Sequence, residues 1–138
     1  MIVTGIDIGM DNVGLCTCVF NDITSEVDVA DIKTVVSKPG TFIVPSYYDV
    51  SVLKFDYMVE SVLNYVNTHN VDVVIIEQPF FDQLHARAVL RLYRLFWKII
   101  DALASQYPSI TVRSITAPKV RAYIGYNRKL GKTVKDAV

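Results

Sequence analysis

IVTGIDIG (residues 2–9), continued by MDNVGLCTCVF (residues 10–20), decides how the rest of the chain is read. The first run is apolar and rich in β-branched residues, as strands are. Asp7 interrupts it between Ile6 and Ile8. A turn signal at Met10, Asp11 and Asn12 leads into a second strand-like run over 13–20. Asn21 and Asp22 mark another turn, and 27–36 reads as a third strand. Three strands joined by short turns predict an antiparallel meander.

Outward from this meander, residues 37–49 contain Pro39, Gly40 and Pro45 and read as an irregular loop. Val52, Phe55, Val59, Val62, Leu63 and Val66 recur at helical spacing, predicting an amphipathic helix over 51–69. Ser51 is its expected N-cap and Asn70 its stop. VDVVII (71–76) is nearly all apolar and β-branched, which suits a parallel strand buried on both faces. A long helix is expected over 83–106, a strand over 110–115 and a short helix over 118–124. Residues 125–131 read as a loop and 132–138 as the opening of a further helix. The order βββ-α-β-α-β-α predicts one α/β domain over 1–138. Its sheet is mixed and five-stranded, a meander followed by two parallel strands, with helices on both faces.

The 138 residues carry 14 Lys+Arg and 14 Asp+Glu, a net charge of zero. The zero hides a division. Residues 1–80 hold eleven acids and three bases, and residues 81–138 hold three acids and eleven bases. A hydrophobic share of 51% with 20% charged residues excludes disordered, collagen-like and disulfide-scaffold classes. A strongly basic C-terminal part keeps a polyanionic partner open, because polyanions respond to local fields. Cys16 and Cys18 would share a strand face, which is poor disulfide geometry, and no matching Cys or His stands nearby for a zinc site. They read as small buried thiols of a reducing compartment. No signal peptide and no membrane-spanning run is visible, so the protein is expected to be intracellular, in the cytoplasm or a host-cell DNA compartment, and not secreted.

Two acids sit in strands. Asp7 must be paired, metal-bound or at a wet edge. Glu77 closes VDVVII, a frequent site position in open α/β sheets. If the two strands are neighbours, the carboxylates converge and suit a hard divalent cation. Taken singly, each acid is better explained as an edge charge or the partner of a Lys or Arg; taken together in this βββ-α-β order, the two favour the metal reading.

GIDIGMDNVGLC (5–16) resembles the first motif of RuvC-type Holliday-junction resolvases, and IIEQPF (75–80) resembles their second. With Asn12, the first motif is closer to the viral and mitochondrial branch. The resemblance implies an RNase H-like fold in which the first and fourth strands are adjacent. It also implies Mg²⁺-dependent hydrolysis of phosphodiesters at four-way DNA junctions, with Mn²⁺ as a possible substitute, and makes Asp7 and Glu77 the first two metal-binding acids. It gives an aromatic at Phe80 the role of a wedge against bases, with Phe81 beside it, and lets Gln78 help to position DNA. The family's remaining acids lie on a last helix as a D-x-x-D-like pair, whereas this sequence ends with Asp136 near the start of that helix. The resemblance therefore implies a truncated final helix and little or no cleavage by this chain, unless Asp136 substitutes.

Arg87, Arg91, Arg94 and Lys98 fall within an arc of about 60° on the long helix, a stripe suited to phosphates. Leu84, Ala88, Leu92, Leu95, Ile99 and Leu103 form one apolar face of that helix. Val89, Tyr93, Phe96, Trp97 and Ile100 form another. One sheet covers one face, so the second is expected to meet a second copy in a symmetric homodimer, as the resemblance also implies. The alternative cover is the loop at 37–49. Lys119, Arg121, Arg128, Lys129, Lys132 and Lys135, interleaved with Tyr123 and Tyr126, suit a nucleic-acid backbone and unstacked bases. Arg121 and Lys132 are the nearest matches to two lysines of the family. His69 and His85 read as plain helix residues.

The reading is a metal-dependent, dimeric, junction-selective endodeoxyribonuclease of RuvC type. Its rivals are a catalytically dead module that binds branched nucleic acid and another RNase H-like nuclease acting on RNA. IIEQPF argues against the latter.

Overall fold

The computed structural model describes residues 1–37, 50–80 and 83–123. β1 (Ile2–Ile8), β2 (Asn12–Phe20) and β3 (Val27–Val36) come first, followed by α1 (Val50–Thr68) and β4 (Val73–Gln78). A 3₁₀ turn (Gln83–His85) leads into α2 (Ala86–Gln106), and β5 (Thr111–Thr116) and α3 (Ala117–Tyr123) complete the order. The strands lie as β3-β2-β1-β4-β5. β1, β2 and β3 are antiparallel neighbours, and β4 runs parallel to both β1 and β5. This is the expected meander with a parallel pair, in an RNase H-like arrangement. The loop expected at 37–49 and the final loop and helix start expected over 125–138 fall outside the described residues, apart from Ser37.

Three boundaries differ from expectation. α1 begins at Val50, so Ser51 lies inside it and not at its cap. β4 runs on through Gln78, so Glu77 belongs to the paired strand. The long helix is α-helical from Ala86 only, the preceding turn being 3₁₀. Asn70 does stop α1, in the left-handed conformation (φ 50°) that Asn tolerates better than most residues.

Residues paired across neighbouring strands point to the same face of a sheet. One face carries Ile6, Val13, Leu15, Val35, Val74 and Ile76 and is covered by α1 and α2 through Phe55, Met58, Val62, Val66, Leu95, Phe96, Ile99 and Leu103. Within this core, the Thr4 and Thr17 hydroxyls satisfy each other at 2.7 Å. The opposite face carries Gly5, Asp7, Gly14, Cys16, Ile75, Glu77 and Ile115, and α3 meets it with Val120.

Asp72 fixes the parallel register. Its carboxylate accepts the Ile2 N–H at 2.7 Å, its own N–H donates to the Ile2 carbonyl at 2.9 Å, and its carbonyl accepts from Thr111 at 3.0 Å. One residue therefore aligns the starts of β1, β4 and β5, and the far ends of β1 and β4 carry Asp7 and Glu77. At that far end the β1–β2 turn closes with the Gly9 N–H donating to the Asn12 carbonyl at 2.8 Å. A Cβ on Gly9 would stand 3.0 Å from that same oxygen, so any other residue would require the turn to give by a few tenths of an ångström. Lys54 on α1 pairs with Asp11 of this turn at 3.1 Å.

Candidate metal and nucleic-acid site

β1 and β4 pair in parallel up to Ile6 and Ile76, and the next residue on each strand is the acid, Asp7 and Glu77. Both carboxylates line one cavity of about 420 Å³ on the open face of the sheet, with Gly5, Gly14, Ile75, Ile115 and Val120 around them. Asp7 is exposed and Glu77 half-buried. Gly14 stands opposite Asp7 and leaves open the space a side chain would fill. Burial pushes the Glu77 carboxyl above its ordinary value, the Asp7 charge adds to that push, and Arg121 of α3 opposes it. Two acids whose charges work against each other, offering only oxygen donors, fit a hard divalent cation. Among the described residues no group of three His, Cys, Asp or Glu gathers as a metal cluster, and Asp136 lies outside them.

The DNA-contact candidates divide into groups. Phe80 follows β4 and is 68% exposed, free to meet a base, whereas Phe81 lies outside the described residues. The Gln78 amide donates to the Ser114 hydroxyl of β5 at 3.2 Å, on the face of the sheet opposite Glu77. Arg87, Arg91 and Arg94 are exposed on α2. Lys98 is different: it is half-buried and bound to Asp56 of α1 at 2.7 Å, so it serves the α1–α2 contact. Lys119 and Arg121 are exposed on α3, and Arg128, Lys129, Lys132 and Lys135 lie outside the described residues.

The second apolar face of α2 needs correction. Val89 and Phe96 are 5% and 1% exposed, and Ile100 and Tyr93 pack against the core. At 100° per residue the buried arc from Leu95 to Ile100 spans about 140°, because α2 packs on both the sheet and α1. Leu84, placed on the first face, is exposed. The apolar groups that remain on the outside are Trp97, 55% exposed, and Leu90, which the sequence reading did not single out. Both lie between the core arc and the arginine stripe. A second correction concerns His69, which is no plain helix residue: its Nδ1 contacts the Tyr65 carbonyl at 2.8 Å and its Nε2 the Asp31 carboxylate at 3.2 Å. Arg113, on the acid-bearing face beside Ile75, is a further base that the reading passed over. Period-two alternation within β5 could have placed it.

No family model matches the chain, and no curated protein matches it in sequence. Solved structures do match. Thermus thermophilus RuvC in complex with a Holliday junction substrate has 14% identity and a TM-score of 0.72, over 91% of this chain and 72% of that one. The yeast mitochondrial Holliday junction resolvase has 17% identity and a TM-score of 0.63, over 89% and 53%. The fowlpox virus Holliday junction resolvase has 15% identity and a TM-score of 0.52, over 91% and 74%. At these identities the likeness carries the fold: this chain has the fold of RuvC-type resolvases.

Proposed function

We propose that the chain is a junction-selective endodeoxyribonuclease that hydrolyses phosphodiesters with divalent metal ions. The observation that carries this reading is the placement of Asp7 and Glu77 at adjacent positions on parallel β1 and β4, at the open end of a RuvC-type sheet. Fold alone would not select a chemistry. The carboxylate pair together with bases on two flanking helices supports this one.

A bound Mg²⁺ or Mn²⁺ would polarise the scissile phosphate and lower the pKa of an attacking water. The chain's own groups supply the rest. Asp7 and Glu77 would hold the cation, and Arg121 favours the charged form of Glu77 against the push of burial. Two carboxylates would leave most of a hard cation's six or more positions to water and phosphate oxygens; Asp136, the further acid that the resemblance offers, lies outside the described residues, and cleavage by this chain is expected to be slow. Arg87, Arg91 and Arg94 take phosphates along one DNA arm, and Lys119, with the basic residues that follow α3, takes another. Phe80 stacks on a base at the branch point, an interaction worth about 1–3 kcal/mol. Gln78 stays tied to Ser114 at the same strand end but on the opposite face, so any help it gives in positioning DNA comes from beside the site.

The Asn12-containing first motif supports a place in the viral branch of this family, acting in an intracellular DNA compartment. Among the described residues no helix is long and apolar enough to cross a membrane. A homodimer through Trp97 and Leu90, with Tyr93 and Ile100 at the rim, would cover the apolar surface left on α2 and present two sites to two strands. The test is cleavage of a labelled four-way junction in Mg²⁺ beside duplex and single-stranded controls. Junction-specific nicks support the reading. Tight junction binding without nicks would favour the non-catalytic binder, and preferential cutting of RNA would favour the other nuclease.

A further inference from the structure

On one side the cavity that holds Asp7 and Glu77 is walled by Ile75 and Ile115. Arg113 stands beside both. It is the cross-strand partner of Ile75 and lies two residues before Ile115, so all three side chains leave the same face of the sheet. Glu77 pairs with Ile115, which makes Arg113 its diagonal neighbour, with the two backbones about 8 Å apart. An arginine spans most of that distance. Among the described residues, however, no carboxylate is paired with Arg113, and the base that acts on Glu77 is Arg121 of α3. Arg113 is exposed, on the outermost strand of this side of the sheet. Its forked donors are left for an anion from outside the chain.

We propose that Arg113 binds the phosphate next to the one held at Asp7 and Glu77, on the same DNA strand, an inference that rests on the nuclease reading of that site. Spacing is the first reason. Successive side chains on one face of a strand are about 6.6 Å apart, close to the step between neighbouring phosphates of an extended nucleic-acid strand. The row of Glu77 and the row of Arg113 therefore suit consecutive phosphates. Charge is the second reason. Residues 111–123 hold Arg113, Lys119 and Arg121 and no acid, so a strand that leaves the acids over β5 and α3 meets positive charge alone. Chemistry is the third reason. The planar guanidinium matches two phosphate oxygens at once, and Ile75 and Ile115 beside it offer water few partners with which to compete.

The plainer role for Arg113 is to keep an edge strand from pairing with other chains, a task natural sheets give most often to lysine. That role needs no DNA, so experiment separates the two.

The test compares the native chain with Arg113→Gln and Arg113→Lys in binding a labelled four-way junction over a range of salt, with a chelator present. Arg113→Gln should keep the native melting temperature, weaken binding about tenfold or more, as loss of a hydrogen-bonded charge does, and lower the salt slope by about one. Arg113→Lys should keep the slope and lose part of the affinity, because it retains the charge without the fork. A second measurement places the contact. Phosphates near the branch point are replaced one at a time by uncharged methylphosphonate. One replacement, adjacent to the bond that the chain nicks in Mg²⁺, should weaken the native chain and leave Arg113→Gln unchanged. An unchanged slope in Arg113→Gln, or no replacement with that pattern, would overturn the inference and leave the nuclease reading standing; self-association of Arg113→Gln with an unchanged slope would assign the residue to edge protection. A native chain that binds the junction no better than duplex would overturn the reading of the site, and this inference with it.

Discussion

Asp7 and Glu77 set two opposite demands on one small region of the sheet. Without a cation their charges oppose each other, and Glu77 is half-buried as well. A carboxyl whose folded pKa lies above its unfolded one takes up its proton more readily in the folded state. Folding stability of the metal-free chain should therefore rise as the pH falls through the raised Glu77 pKa. The gain is complete below the unfolded value, near 4.5, where both states are protonated. Glu77→Gln should remove that component of the pH dependence and raise the melting temperature at neutral pH in the absence of metal. Thermal melts across pH with a chelator present check both. In cleavage, Asp7→Asn and Glu77→Gln should each lose more than about a hundredfold, since even outer-shell partners of a metal are worth about 10–100-fold. At this scale the acids were legible in the sequence because a charge inside an apolar strand demands an explanation. The Gln78–Ser114 hydrogen bond was not, because strand alternation fixes the face but not the rotamers. Nor was the contact between His69 and Asp31, which lie 38 positions apart on different elements.

The elements show where periodicity carries information and where it stops. β1, β2 and β3 fell within a residue or two of expectation because β-branched runs bounded by Asn and Asp leave few alternatives. α2 was misread in part. Its two apolar faces merge into one wide buried arc, since the helix meets a sheet and a second helix at once, which hydrophobic spacing alone does not reveal. The consequence is testable. Phe96→Ala should cost about 3–5 kcal/mol of stability, as large buried aromatics do. Trp97→Ala should cost less in the monomer, about 0.5–1.5 kcal/mol, the worth of its edge-to-face contact with Phe96, while weakening self-association. Denaturant unfolding and sedimentation separate the two effects. Along the same helix, Arg87→Ala, Arg91→Ala and Arg94→Ala should each weaken junction binding and lower its salt slope by about one. Lys98→Ala should leave the slope nearly unchanged, because its charge is already engaged by Asp56. Binding isotherms over a range of ionic strength distinguish these cases.

Across the whole molecule, the zero net charge resolves into an acidic meander side and a basic α2–β5–α3 side that meet at Asp7 and Glu77. On the proposed function, DNA approaching the basic side would bring its phosphates to acids that a bound cation would neutralise. Asp72 holds this geometry from the opposite end of the sheet. Asp72→Ala should cost about 1–2 kcal/mol, near the lower end for hydrogen bonds to a charged group, and should slow cleavage through a loosened β1–β4 register. The fold and the acid pair could be argued from sequence because both rest on pattern within single elements. The Asp72 clasp and the open sheet face needed the three-dimensional arrangement. The central claim is that Asp7 acts through a metal ion to cut branched DNA. Its most direct test is cleavage of a labelled four-way junction in Mg²⁺ by the chain and by Asp7→Asn at equal concentration. The account predicts slow, junction-specific nicks from the chain and none from the variant. Equal products from both, or no product from a chain that binds the junction tightly, would contradict it.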